Sequence, residues 1–586
     1  MSNSYDVIIS QALCEKLLQY QKVAKEPTTG FVYGWFAKNT AHCIGCALEN
    51  PNVLLSFGYD IVGVFCVSRG ETEDQISGLC HGLIIKYLEE YQHKGPENPV
   101  LLYTTPRNET TVFAKLATLG LEAFVEPEKV SVLENIRLGT CSVRARARVQ
   151  LAFEMDADVV YLKKNLEVAA DRLKKKFLPE VVAFQLVGSN VLLRRESIEK
   201  AIQDLVDQSG DSGRKRRNKG DAMTQEVLNF TILSQTTGEA AVEGCGTMCT
   251  PVVHYQKKVF KSMSALLCLD IVATVNMNDA LSKVVTLLSE ELCNQIDQMT
   301  NCISKFSKAD SICIPEAFHF WPVECGHWVT VFYPAEVSEA DLASYRKELH
   351  RLLLLPCNRP LFRRANHFAF PEELAADPYL RNTHLGLNPP SGCQVQLLRG
   401  QYQYRHYMQD RIDDKGWGCA YRSLQTIVSW FRIQGYTGQP VPSHREIQQA
   451  LVNIGDKPSS FVGSKQWIGS MEVGYCLNNL LGVESKTLCV NAGAEMSSRA
   501  RELMAHFDTQ GTPIMIGGGV LAHTIIGIAF NEKTGDAHYL ILDPHYTGGE
   551  DLSVIQNKGW CGWKNNSFWD QKSFYNVCLP QVPSAV

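Results

Sequence analysis

Residues 413–426 read DDKGWGCAYRSLQT, and residues 512–548 read TPIMIGGGVLAHTIIGIAF, NEKTGD, AHYLILDPH and YTG. In the first stretch, Ala420, Leu424, Ile427, Val428 and Phe431 recur at helical spacing, so a helix over Cys419 to Phe431 with one apolar face is predicted. The second stretch alternates and is broken by Gly517–Gly519 and by a polar turn, which predicts strand, glycine turn, strand, hairpin turn, strand. Ser443 with Glu446 fits a capping box opening a second helix, and Glu495 to Phe507 fits another. Helices first and an antiparallel sheet second make this an α+β domain, expected over 393–586.

That order places a thiol at a helix tip. The thiolate is the reactive form of cysteine, and backbone amides and the dipole at a helix N-terminus lower a thiol pKa there. Gly416 and Gly418 allow a tight turn and leave room for an extended substrate. Cys476, inside an apolar helical pattern, is expected to be inert packing. In ILDPHYTG, Asp543 and His545 stand two residues apart in extended chain, about 6.6 Å along the same side. Pro544 fixes its own φ and biases Asp543 toward the β region. A carboxylate beside an imidazole can accept its Nδ1 proton and stabilise the imidazolium formed in catalysis. His523, on the preceding strand, competes as the base: pairing Phe530 with Ala537 across the turn would put it opposite Pro544. His545 is favoured because its closeness to Asp543 is local, with His523 a supporting or core residue.

Working outward, the 586 residues suit two to four domains. Hydrophobic residues make up 45%, charged residues 20%, and the formal net charge is −5, which gives no electrostatic grip on nucleic acid or acidic membrane. No apolar stretch approaches the ~20 residues of a membrane span, and no secretory signal opens the chain, so a cytosolic or nuclear setting with reduced thiols is expected. The segment 207–224, DQSGDSGRKRRNKGDAMT, can bury almost nothing and reads as a linker; its basic core, Arg214 to Lys219, also suits a nuclear address. GLNPPSG at 386–392 should stop any regular element. Strand–helix units are expected from Val143 to Lys176, Ser264 to Gln298 and Trp328 to Leu355. The resulting division is 1–140, 141–206, the linker 207–224, 225–385, and 393–586.

Metal signatures are weak. Cys43 and Cys46, preceded by His42, form one half-site, and the next close pair, Cys245 and Cys249, is remote in sequence. His319 and His327 lie in EAFHFWPVECGHWVT, which reads as core-forming strand. No metal or other cofactor is expected, and no aromatic-and-basic stripe suggests nucleic acid.

The segments YRHYMQDRIDDKGWGCAYRSLQT, GSKQWIG, GGGVLAHTIIGIAF, LDPHYTG and KGWCGWK, with FHFWP, GHWVTVFYP and RPLFRRANHFAFP from about residue 300 onward, resemble the papain-like cysteine peptidases specific for the ubiquitin-fold modifier. The resemblance implies Cys419 as nucleophile, His545 as general base and acid, and Asp543 as its orienter. It also implies that the Tyr407 hydroxyl joins the Cys419 amide in the oxyanion hole; the residues alone would make Tyr407 a core aromatic. Trp417 and Trp467 would be walls of a narrow glycine-accepting groove, or simply core. Autophagy-type ubiquitin-like proteases share a similar W-G-C and D-P-H pattern and are the nearest enzyme alternative; a non-catalytic modifier-binding scaffold is the alternative outside enzymes. The resemblance further implies an MPN-like N-terminal docking domain without metal, the modifier and its conjugates as partners, and recruitment to the endoplasmic reticulum by a membrane-anchored adaptor.

Overall fold

The structure is a computed structural model that describes residues 4–49, 58–71, 73–90, 96–105, 108–117, 124–134, 139–155, 162–196, 201–206, 227–234, 261–307 and 312–585. The linker segment and the Cys245–Cys249 pair lie outside them. The chain divides into two compact units, one ending at Pro356 and the other running from Cys357 to Val586. The proline-rich stop at 386–392 therefore lies inside the second unit.

The first unit is rich in strands. An eight-stranded mixed sheet is built from residues between Asp6 and Leu133 and carries the helices Gln11–Val23 and Glu73–Glu90. A five-stranded sheet follows, with the long antiparallel pair Thr140–Met155 and Lys261–Asn276 along one edge and Val227–Ser234 at its centre. Helices Leu162–Lys174 and Leu281–Phe306 supply the apolar cover of its core, through residues such as Leu166, Val285, Leu288, Leu292 and Ile296. All three expected strand–helix units are present, the third as strand Val329–Pro334 and helix Ala343–Leu352. Cys43 and Cys46 are buried on strand Thr40–Ala47, and burial pushes both thiols up, to about 11 for Cys46, so both are held as neutral packing groups. His319 and His327 are also buried; His327 Nε2 lies 2.7 Å from the Tyr33 hydroxyl.

The second unit wraps helices around an antiparallel sheet whose strands run, side by side, Ser485–Val490, Tyr575–Pro580, Ile514–Gly518, Leu521–Phe530, Ala537–Leu542 and Cys561–Asn565, with Gln394–Leu397 also pairing to Leu521–Phe530. The expected nucleophile helix spans Cys419–Ile433, but its burial is not confined to one face: every residue from Ala420 to Phe431 is buried. Its polar residues are anchors. Thr426 and Ser429 hydroxyls accept from the Arg405 and Gln403 amides at 3.2 and 2.9 Å, and Gln425 donates to Pro442 O at 2.8 Å. A helix this deeply placed tolerates such groups because nearly all of them are paired. The capping box is present, with Ser443 Oγ accepting from Glu446 N and opening helix His444–Asn453. The helix expected from Glu495 begins at Ala500 and runs to Thr509; Gly493–Arg499 forms a 3-10 segment instead. Among the described residues no helix is long and apolar enough to cross a membrane.

Candidate active site

The nucleophile loop is fixed first. Asp414, fully buried, accepts from Arg422 Nε at 2.6 Å and from the Met408 amide at 2.8 Å, and lies 3.0 Å from His444 Nε2. Its carbonyl accepts the Gly418 amide at 2.9 Å. Arg422, also fully buried, reaches Asp410 at 2.6 Å and donates to the Gln409 carbonyl at 2.7 Å. The guanidinium and His444 hold the Asp414 carboxyl below the usual range although burial opposes this. Gly418 is required here: a Cβ would sit 2.6 Å from Asp414 Cβ. The helix then starts at Cys419 with no side-chain cap on its amides.

The hairpin delivers the other two groups. Phe530 does pair with Ala537, and the expected register holds as far as Gly527 opposite Leu540; a bulge then shifts it, so that Ile525 faces Ile541 and Thr524 faces Leu542. Continuing that register puts His523 beside Asp543 rather than Pro544, a correction of one residue that the alternation could not reveal. His545 Nδ1 lies 2.6 Å from Asp543 Oδ1, which also accepts the His545 amide at 3.0 Å. His523 Nε2 is 3.9 Å from the same oxygen, beyond hydrogen-bond distance. The short i, i+2 contact across Pro544 is thus formed by His545.

Cys419 and His545 perturb each other. Burial would raise the Cys419 thiol, but hydrogen bonding and charge from His545, the Tyr407 hydroxyl and the Ala522 amide bring it below its ordinary value. Burial would lower His545, but Asp543 and Cys419 raise it to about 9. The opposite shifts mean that each group favours the charged form of the other. His545 Nε2 is buried and has no nitrogen or oxygen partner, which leaves it available for proton transfer at the sulfur. Burial drives His523 the other way, to about 4, so it is neutral. Burial pushes Cys476 up to about 12, which fits inert packing.

Tyr407 is buried, its ring set edge-on to His545 at 5.3 Å. Its amide donates to the Pro544 carbonyl at 3.0 Å, tying residues 403–414, the strap that carries it, to the turn that carries His545. Burial raises its phenol, and the hydroxyl interacts with the Cys419 sulfur and the Gly416 amide. Trp467 is 56% exposed and donates from Nε1 to Gly416 O at 3.0 Å; Trp417 is half-buried against Tyr421 and His444. Both flank the nucleophile loop, with Trp467 on its solvent side and Trp417 packed on the core.

Reading single residues misses the Asp410–Asp414–Arg422 network. Its signal was the polar series Arg422, Thr426 and Ser429 at helical spacing within an apolar helix.

Residues 393–578 match the model of peptidase family C78, and residues 189–375 match that of the N-terminal region of ubiquitin-fold modifier 1 specific protease 2. Ufm1-specific protease 2 of Gallus gallus is 46% identical over 462 residues, covering 76% of this chain and 99% of the relative. The Homo sapiens protein of that name is 44% identical over 465 residues, covering 76% and 98%. The chain belongs to the Ufm1-specific protease family. It is similar to the crystal structure of UfSP from C. elegans with a TM-score of 0.71 at 28% identity, over 99% of this chain and all of that one. The family match starts well upstream of residue 300, where the sequence motifs first became recognisable, and the chain is by membership a cysteine peptidase.

Proposed function

We propose that this chain cleaves after the C-terminal glycine of the ubiquitin-fold modifier, both maturing its precursor and releasing it from lysines of conjugated proteins. The observation that carries this is the convergence of the Cys419 sulfur, the His545–Asp543 pair and the Tyr407 hydroxyl at one helix tip. Cys419 thiolate attacks the carbonyl carbon after the glycine. The Tyr407 hydroxyl and the Cys419 amide stabilise the oxyanion. Imidazolium His545 then gives its proton to the leaving amine, so the tetrahedral intermediate collapses to a thioester. Water, deprotonated by His545, hydrolyses the thioester and regenerates the thiolate. Asp543 holds the imidazole in the required tautomer throughout.

The test is a modifier carrying an electrophilic C-terminus, offered beside the same reagent built on other ubiquitin-like proteins. The wild type should form a covalent adduct with the first reagent alone, and Cys419→Ser should bind it without forming one. An adduct that persists in Cys419→Ser would overturn the assignment, whereas binding without any adduct in the wild type would mark a scaffold. Loss of activity in His523→Ala with retention in His545→Ala would exchange the two histidines.

The first unit acts, in this reading, as a docking module of MPN-like fold, supported by its mixed sheet flanked by helices. The family resemblance supports a cytoplasmic enzyme recruited to the endoplasmic reticulum by a membrane-anchored adaptor. Co-fractionation with and without the first unit checks that recruitment.

A further inference from the structure

His523 is not needed for the chemistry above, yet it stands in the centre of it. Its Nε2 is 3.9 Å from Asp543 Oδ1, and its ring is 5.2 Å from that of His545. One donor atom each from His523, Asp543 and His545 lie within 4.8 Å of one another. Four-coordinate zinc with nitrogen and oxygen ligands at 2.0–2.2 Å needs donors about 3.4 Å apart, so side-chain shifts of about an ångström would close the set. Phe568 and Trp569 pack against the His523 ring at 5.0 and 6.4 Å and form an apolar outer wall.

We propose that His523, Asp543 and His545 form an inhibitory binding site for a divalent transition-metal ion of the zinc class. Two imidazoles and a carboxylate suit zinc; magnesium and calcium require oxygen-rich shells and would be rejected. Once captured by the ion, His545 can no longer serve the thiol. The ion is here an inhibitor that competes with catalysis and takes no part in it. Its inhibitory effect rests on the catalytic reading of Cys419 and His545, whereas its binding does not.

The experiment uses the full chain, free of affinity tag and chelator. Zinc chloride should inhibit cleavage of a fluorogenic modifier substrate, EDTA should restore it, and magnesium chloride should do nothing. His523→Gln and His523→Asn should each raise the zinc concentration for half-inhibition at least about tenfold. Equilibrium dialysis against zinc should find one ion fewer on both variants than on the wild type, and an unchanged number on Cys419→Ser. Equal inhibition and equal stoichiometry in wild type and both His523 variants would overturn the proposal. If the chain does not cleave the modifier substrate at all, dialysis and zinc-dependent thermal stabilisation still read the site, so the two failures are distinguishable. Stabilisation that survives both His523 substitutions would also count against it.

Discussion

Replacing Tyr407 with Phe removes one oxygen and little else. The ring is buried and packs edge-on against His545 at 5.3 Å, and the backbone link to Pro544 at 3.0 Å does not involve the side chain. The hydroxyl has two contacts, the Cys419 sulfur and the Gly416 amide. Losing these should cost about 1 kcal/mol of stability, a small change in Tm. The transition state loses more. A donor aimed at a developing oxyanion is worth about 10²–10³ in kcat, or roughly 2.7–4 kcal/mol, because it strengthens as charge appears. The Tyr407 hydroxyl is also among the groups that lower the Cys419 thiol. Its loss should therefore move the acid limb of kcat/KM to higher pH, since more base is then needed to form the thiolate. The assay is steady-state cleavage of modifier–aminocoumarin across pH, with thermal melts in parallel. The expected pattern is kcat down about a hundredfold or more, KM nearly unchanged, and the acid limb displaced upward. A fall in kcat of less than about fivefold, or a loss confined to KM, would refute an oxyanion role.

Two further tests address the charges. Asp543→Asn removes the carboxylate that holds His545 at about 9 against burial, so the alkaline limb of kcat/KM should start near pH 9 in the wild type and move toward neutrality in the variant. Activity near pH 7 should drop by about 10³–10⁴, as an asparagine also presents the wrong tautomer partner; an unmoved limb would show that Asp543 does not set the imidazole. In the first unit, Glu291 is buried with Oε2 unpartnered, and burial raises it from 4.5 to about 8. The folded state keeps this proton while the unfolded chain loses it, so the stabilisation is complete below pH 4.5 and is lost as pH rises through 8. Glu291→Gln, neutral throughout, should gain relative stability over that window by up to a few kcal/mol and hold the gain above it. Urea melts across the pH range would sink this account if the two curves stay parallel.

Local chemistry was legible and long-range geometry was not. Cys419 at a helix start after Gly418, the Ser443–Glu446 cap and the Asp543–Pro544–His545 turn each depend on contacts within four residues, so the residue pattern alone determines them. The register of the hairpin was readable from its turn outward and failed at the bulge between Ile525 and Gly527, whose one mark in the sequence is that isolated glycine within the strand. Charged residues misled in the other direction. Asp410, Asp414 and Arg422 would ordinarily be solvated, yet Asp414 and Arg422 are fully buried because each is the other's partner. In the first half the sheets pair strands far apart in sequence, such as Val227–Ser234 beside Thr140–Met155, and no local pattern announces such pairing.

The buried ion network is better explained by positioning than by stability. The strap from Gln403 to Asp414 carries Met408, Asp410 and Arg411 with φ near +60°, a conformation that costs non-glycine residues on the order of 1–3 kcal/mol each. A buried Arg–Asp pair gives little net stability, since desolvation consumes most of its attraction. It does impose geometry: the Met408 amide and the Gln409 carbonyl are each bound directly by Asp414 or Arg422, on the two residues that follow Tyr407. The opposite end of the same strap is tied to the nucleophile helix through Thr426 and Ser429, and its middle to Pro544. The helix that starts at Cys419, the Tyr407 ring and the turn that carries His545 are therefore held by one segment whose own backbone would not adopt that shape. Removing Arg422 would relax the segment toward ordinary φ and leave Asp414 buried without its cation, so the loss at the active site should exceed what any change at Cys419's immediate contacts would suggest.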